Sequence, residues 1–318
     1  MPEILFIKTS SLGDVVHHMP AVTDARRHFP AARITWAVEE DYAPLVRLHP
    51  GVDEVVPVAV RRWRPRLLRP ATWRELREFV AGLRRHRYDI VIDTQGLTRS
   101  ALMARLSRGE RHGYDARSAR ETLAAAFYDV RHSVERRLHA IVRNRELTGR
   151  ALGFRPAGDP DYGVVCERLQ DTAAPYVVLL HGSARAEKEW PEAHWAAVGA
   201  ALQEEGLDIQ LPWGSQPERL RSEVMARALR RAQVPDRQPL GQIARLLAGA
   251  RLVVGLDTGL VHLAAALRVP LVAIFVGSDP VLTGPRGAGP IAVVGRKGAT
   301  PAPQDVVSAI RQTLAAIR

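Results

Sequence analysis

The sequence predicts an α/β chain folded as two domains, on three observations. Short apolar runs of strand length alternate with segments whose apolar residues recur at three-and-four spacing. The chain has 318 residues, more than one hydrophobic core usually serves. Residues 153–163, Gly-Phe-Arg-Pro-Ala-Gly-Asp-Pro-Asp-Tyr-Gly, gather the residue types that interrupt regular structure. A first domain is expected at 1–155, a linker at 156–163 and a second domain at 164–318, with a terminal helix at 304–318 free to pack on either domain.

The apolar run at 4–7 reads as a buried parallel strand that gives way to Lys8-Thr9-Ser10-Ser11-Leu12-Gly13-Asp14. Val15, Val16, Met19, Val22 and Ala25 then continue with helical spacing, which puts Asp14 at or just before a helix N-terminus. There Asp14 can serve as an N-cap, or as a general base at the carboxyl end of a strand, where open α/β sheets bind ligands. A second strand is expected at 34–38, a short helix at 42–48 and a turn at Pro50-Gly51. The third strand, 55–60, runs straight into Arg61-Arg62-Trp63-Arg64-Pro65-Arg66 and on to Arg69, and Pro65 and Pro70 predict a loop there. If this strand lies parallel to the first, its arginines emerge at the same sheet edge as Asp14. They would then suit an anionic acceptor, the alternative being an ordinary solvated surface.

Helix is expected at 73–86, strand at 89–93 and loop at Thr94-Gln95-Gly96, with helix again at 100–106. Arg117 and Arg120 introduce an amphipathic segment at 119–127, and 136–152 reads as one long helix with basic outer faces. Asp159-Pro160-Asp161 has the spacing of a metal-binding pair, but no strand leads into it and the linker accounts for both carboxylates. In the second half, 176–180 is a strand ending in a polar run from His181 to Lys188, and Pro191 opens a helix that runs through Glu204. A strand at 208–211 precedes Pro212-Trp213-Gly214 and a charged helix from Glu218 onward. Residues 243–247 are the buried side of another helix. The strand 252–255 leads into Asp257-Thr258-Gly259 at the start of a further one. Val306, Val307, Ile310, Leu314 and Ile317 stripe the terminal helix.

Charge is divided unevenly. Residues 1–160 hold 28 Lys and Arg against 19 Asp and Glu, whereas 161–318 hold 17 against 15. Arginine bias in the coding sequence explains the identity of these residues better than their net charge, so the first half is expected to meet something anionic. Cys166 is the sole cysteine, which excludes an internal disulfide or thiolate metal cluster and fits a reducing cytoplasm. No run of about 20 apolar residues could span a bilayer, and the opening residues lack the pattern of a secretory signal.

Two stretches carry chemistry. Asp257-Thr258-Gly259 at a strand end and helix start makes a diphosphate cradle, because free N–H groups and the positive end of the helix dipole point outward there and glycine admits close approach. His262 lies one turn in, where a structural role is the plain alternative. Lys188, on a loop after another strand of the same domain, offers the compact positive charge that a departing diphosphate needs. Motifs for dinucleotide binding, P-loops, zinc peptidases and serine hydrolases are absent. A nucleic-acid binder is the competitor from another class, since Trp63 and Trp73 stand among the arginines. It leaves the cradle at 257 unexplained.

Taken in order, the motifs resemble a known family. They are Lys8-Thr9-Ser10-Ser11-x-Gly13-Asp14, Arg61-Arg62-Trp63-Arg64, Asp93-x-Gln95-Gly96-Leu97, His181 through Lys188-x-Trp190-Pro191, Pro212-Trp213-Gly214 and Asp257-Thr258-Gly259-x-x-His262-x-x-Ala265-Ala266. Together they are similar to those of the lipopolysaccharide heptosyltransferases of glycosyltransferase family 9, over nearly the whole chain. The resemblance implies a GT-B fold, with two Rossmann-like domains facing across a cleft, and neither a metal nor a cofactor. It implies inverting transfer of L-glycero-D-manno-heptose from ADP-heptose to the inner Kdo of Kdo2-lipid A. The arginine and Asp93-x-Gln95-Gly96 segments favour members acting on Kdo over those that use the same donor on a later acceptor.

By position, the resemblance makes Asp14 the base and Lys188 the group that neutralises the leaving ADP. Ser183, Thr258, Gly259 and His262 would bind the phosphates, Asp257 the heptose and Glu218 the ribose. Arg61, Arg62, Arg64 and Arg120 would grip the acceptor's acidic groups, with Ser10, Gly13 and Gln95 completing its site. Between His181 and Lys188 this chain departs from the family, which often has threonines and acids there. Only Ser183 keeps a hydroxyl, and a contact from Ala184 is in question. Peripheral, electrostatic association with the cytoplasmic face of the inner membrane is also expected, without nucleic acid.

Overall fold

The computed structural model describes residues 1–168, 174–183 and 185–317. The chain divides into two compact units, Met1–Val164 and Val165–Arg318.

In the first unit six parallel strands form one sheet. They are β1 (Glu3–Ile7), β2 (Arg33–Glu39), β3 (Glu54–Val58), β4 (Ile90–Asp93), β5 (Glu110–Tyr114) and β6 (Val130–His132), in the order β3-β2-β1-β4-β5-β6. The chain starts in the middle, winds outward through β2 and β3, and returns to the other side of β1. Ile4 is in register with Ile34 on one side and Ile90 on the other. The winding direction reverses between β1 and β4, and that reversal opens a crevice at the strands' carboxyl ends. Leu5, Ile7, Val58, Trp63, Phe79 and Leu83 form part of the core on one face.

Three sequence expectations are corrected in this unit. The arginine run is not an irregular loop: Val60–Trp63 is a helical turn and Arg64–Arg66 a 3-10 turn, while Pro70 begins the helix Pro70–Leu83. Prolines interrupt helix interiors but suit helix starts, where their missing N–H has no partner to lose. The helix expected at 136–152 begins only at Ala140, because His139 caps it by accepting from Ile141 N at 3.2 Å. Strand β5 and the edge strand β6, with the sequences ERHGY and VRH, lack the apolar run that marks the central strands β1 and β4 and were not foreseen. Residues 157 and 158 are tied to the first unit by Arg145, which ion-pairs with buried Asp24 at 2.6 Å and donates to Ala157 O at 2.7 Å and Gly158 O at 3.0 Å. Asp161 is an ion-pair partner of Arg27.

The second unit repeats the plan. Its strands are β7 (Tyr176–Leu180), β8 (Asp208–Gln210), β9 (Ala232–Gln233), β10 (Leu252–Leu256), β11 (Leu271–Ile274) and β12 (Ile291–Val294), all parallel and ordered β12-β11-β10-β7-β8-β9. Here the reversal falls between β7 and β10. The sequence left open which unit takes the terminal helix, and Pro303–Ala315 buries Val306, Ala309, Ile310 and Leu314 in the second unit's core. Among the described residues no helix is long and apolar enough to cross a membrane, and no three His, Cys, Asp or Glu side chains are grouped to hold a metal ion. Ala184 lies outside the described residues.

Candidate active site

At the first reversal, the loop after β1 is fixed from several sides. Lys8 N donates to Ala37 O at 3.3 Å, Trp36 Nε1 to Lys8 O at 3.1 Å and Glu39 N to Thr9 O at 3.1 Å. Gln95, expected to touch the acceptor, is buried, and its amide oxygen accepts from Thr9 N at 3.1 Å and Ser10 N at 3.2 Å. It shapes the loop that leads to Asp14. Asp93 holds the neighbouring turn by accepting from Gln95 N at 2.8 Å and Tyr128 OH at 2.8 Å. Gly96 has φ of +68°, and a side chain there would come within 3.1 Å of Tyr114 and 3.4 Å of Arg120 N. The left-handed backbone there is what calls for glycine.

Asp14 stands at the third position of the short helix Leu12–Val16, and Ser11, not Asp14, is its N-cap. Its Oδ2 accepts from both Ser11 N and Ser11 Oγ at 3.1 Å, so the third-position acid reaches back to the cap as in one half of a capping box. The same carboxylate ion-pairs with Arg120. Burial favours the neutral acid, but the charges of Lys8 and Arg120, with hydrogen bonds from Arg120 and Ser11, outweigh it and hold the carboxyl well below its usual range. Lys8 is itself buried, with Nζ 2.9 Å from Thr94 O and 3.4 Å from Asn144 Oδ1, and burial pulls its pKa down to about 8. Lys8 stands in the first motif, which by itself gives it no role. Its place three residues before a Ser-x-Gly-Asp turn, at the end of an apolar strand, was the available signal.

The remaining residues expected to bind an acceptor are distributed unevenly. Ser10 Oγ accepts from Arg99 at 3.1 Å, and Gly13 O accepts from His17 N at 2.8 Å. Arg61 is exposed, its N–H 2.9 Å from Glu39 Oε1 and its guanidinium 5.2 Å from the centre of the Tyr42 ring. Arg64 is also exposed. Arg62 is engaged within the unit by Glu40 at 2.9 Å and Glu75 at 2.6 Å, and Arg120 by Asp14. Both guanidinium groups would meet an incoming anion with part of their donors already engaged.

The second reversal gathers residues expected on the donor side. Lys188 ends the 3-10 turn Ala186–Lys188, and its Nζ lies 2.5 Å from Oδ2 of Asp257, at the end of β10. Ser278, on the loop after β11, also donates to this oxygen, and His262 Nε2 is 3.6 Å from Oδ1. Ser278 had not been foreseen, since no strand was assigned before it. A small hydroxyl residue just past the apolar run ending at Phe275 is the signal it offered. Burial raises the Asp257 pKa, but hydrogen bonds from His262, Lys188 and Ser278 override this and keep it well below the ordinary value. Thr258 caps the helix Gly259–Ala266 with extended backbone and makes no side-chain hydrogen bond to it; Val261 N donates to Thr258 O at 3.2 Å, and among the described residues no side chain caps the N–H groups of Gly259 and Leu260 that precede it. Ser183 Oγ accepts from Arg185 N at 3.2 Å. Glu218 is the capping-box acid of the helix Gln216–Ala228, accepting from Gly214 N at 2.7 Å and Ser215 N at 3.2 Å. It lies against the loop after β7, where a side chain at Gly182 would come within 2.7 Å of its carboxyl carbon.

Each unit therefore sets a charged pair across its sheet's reversal, and comparison with known proteins gives that arrangement a context. The family model described as glycosyltransferase family 9 (heptosyltransferase) matches residues 76–306. Lipopolysaccharide heptosyltransferase 1 of Salmonella typhimurium is 42% identical over 289 residues, covering 89% of this chain and 91% of its own length. The structure of E. coli heptosyltransferase WaaC with ADP aligns at TM-score 0.91 and 37% identity, over 99% of this chain and 100% of that one. The same enzyme with ADP-2-deoxy-2-fluoro heptose aligns at TM-score 0.86 and 37% identity over the same shares. With two Rossmann-like sheets of matching strand order and a family match over most of its length, the chain is a GT-B protein and belongs to glycosyltransferase family 9, the heptosyltransferases.

Proposed function

We propose that the chain is an inverting transferase that moves L-glycero-D-manno-heptose from ADP-heptose to the inner Kdo of Kdo2-lipid A. The observation that carries this reading is the pair of switch-point clusters, Asp14 with Lys8 and Arg120 in one unit and Lys188 with Asp257 in the other. ADP-heptose as donor is supported by the likeness to an enzyme that holds ADP and an ADP-heptose analogue.

In the proposed reaction Asp14, kept ionised, accepts the proton of an acceptor hydroxyl as that oxygen bonds to the anomeric carbon. The bond from that carbon to the diphosphate breaks on the opposite side, and its electron pair departs with ADP. Lys188 and the N–H groups at Gly259 meet the growing charge. A carboxylate with a depressed pKa is a weak base, but the hydroxyl becomes acidic as its oxygen forms the new bond. Arg120 adds a gate: an acidic acceptor such as Kdo offers it a second carboxylate, and a guanidinium drawn toward that group relaxes its hold on Asp14. The acceptor's lipid implies work at the anionic face of the inner membrane, held there peripherally.

The test is incubation of the purified chain with ADP-heptose and Kdo2-lipid A. Release of ADP together with a heptosylated lipid product is expected, with neither formed by Asp14→Ala. Salt-sensitive oligonucleotide binding with no ADP release would overturn the reading in favour of a nucleic-acid protein.

A further inference from the structure

Beside the acceptor arginines stands an apolar apex that the proposed reaction does not use. Leu68 is 99% exposed, and Leu67 and Trp73 are 51% and 52% exposed. They sit where the turn Arg64–Arg66 meets the helix Pro70–Leu83. The apex is held in shape: Arg69 N and Thr72 Oγ1 donate to Arg66 O at 3.0 and 2.8 Å, and Thr72 N donates to Arg69 O at 3.0 Å. Trp73 Nε1 donates to Leu67 O at 2.8 Å. The one polar atom of that indole is satisfied internally, which leaves its exposed surface hydrocarbon. On the inner side the segment is anchored by Trp63 and Phe79, whose ring centres are 5.7 Å apart in the core.

The surroundings of the apex are positive. Between 61 and 77 there are seven arginines and a single acid, Glu75. Glu75 is taken by Arg62 and by Trp63 Nε1, each at 2.6 Å. Arg64, Arg66, Arg69 and Arg74 are all exposed. Leucines and an indole within a ring of guanidinium groups complement a layer of phosphates lying over hydrocarbon. Nucleic acid would satisfy the arginines and leave Leu68 in water. A second copy would press one positive ring against another.

We propose that Leu67, Leu68 and Trp73, ringed by Arg64, Arg66, Arg69 and Arg74, dock the chain on an anionic phospholipid bilayer. The leucines enter the acyl boundary and the guanidinium groups bind headgroup phosphates. The inference rests on the reading of a lipid-borne acceptor and extends it, because apolar insertion gives a binding component that salt does not remove. Docking is measured without sugar transfer, so a failure of either proposal is recognised separately.

The experiment is cosedimentation of the full chain with vesicles of phosphatidylcholine alone and of phosphatidylcholine mixed with phosphatidylglycerol. Binding to the mixed vesicles alone is expected, and Leu67→Ser with Leu68→Ser weakens it by about tenfold or more, as loss of two inserted side chains requires. Both leucines are exposed, so the double variant keeps its fold, and its transfer to a deacylated, water-soluble acceptor stays at the parental rate. Arg66→Glu with Arg69→Glu abolishes preference for the anionic vesicles. Undiminished vesicle binding by the leucine variant, or equal binding of the parent to neutral vesicles, overturns the proposal. A parental dimer in sedimentation velocity that the leucine variant loses would assign the face to a second copy and overturn it as well.

Discussion

The two switch points share one strand order but set opposite charges to work. In the proposed reaction the first unit's reactive group is a carboxylate, Asp14, which the cations Lys8 and Arg120 hold ionised. In the second unit the same proposal gives that part to a cation, Lys188, which the carboxylate of Asp257 holds in place. The local backbones differ to match. Asp14 lies inside a helix start and faces its own cap, whereas Asp257 lies at a strand end ahead of a helix that no side chain caps. One sheet topology thus provides either a base or an anion seat, and the loop sequence decides which.

The largest expected effect tests the first half of this contrast. Asp14→Asn keeps the shape and the Ser11 hydrogen bonds but removes the charge, and kcat should fall by about 10²–10⁴-fold, as for loss of a general base. ADP affinity should hold, since Lys188 and Gly259 are untouched. The variant also leaves Lys8 buried without its counter-charge, so a lower Tm is expected from thermal unfolding. A kcat within threefold of the parent would remove Asp14 from the base role.

Lys188→Ala tests the second half. It withdraws the charge that meets the leaving diphosphate and should cost about 10²–10³-fold in kcat, together with weaker ADP binding by calorimetry. Asp257→Asn should cost less, about tenfold, because it only loosens the orientation of Lys188. If Asp257→Asn proved as damaging as Asp14→Asn, the two carboxylates would not be serving the different ends described here.

Much of this was legible in the sequence, for a definable reason. Central strands are apolar on both faces, so 4–7, 176–180 and 252–255 declared themselves, and the polar residues following them marked the switch-point loops. β5, β6 and β9, at or next to a sheet edge, have weaker patterns and passed unread, and the apolar runs of β11 and β12 were not assigned as strands either. Pro65 and Pro70 were read as breakers although proline at a helix start is favourable. At the sites, residue type pointed to Asp14 and Lys188 but not to what those groups already touch. Gln95 shapes a loop, Arg62 is held by two glutamates, and Arg120 and Ser278 reach their carboxylates from loops distant in the chain. Such pairings depend on side-chain reach after folding, which periodicity and spacing do not encode.

The smallest effect, and the sharpest on tuning, concerns Lys8. Its pKa lies near 8 in the folded chain against about 10.5 for an ordinary lysine, so between those values the unfolded chain carries the extra proton. Stability contributed by Lys8 should therefore rise from pH 8 to pH 10.5, since unfolding takes up a proton throughout that window. Activity should follow through Asp14: once Lys8 is neutral, one of the two cations that depress Asp14 is gone, and its carboxylate becomes a stronger base. A rise in kcat of about two- to fivefold across pH 8 is expected. Lys8→Met fills similar space without a charge, so it should flatten both the stability slope and the step in kcat. Parent and variant with superimposable profiles from pH 6 to 10 would show that Lys8 only packs the loop, and would leave Arg120 as the one cation that tunes the base.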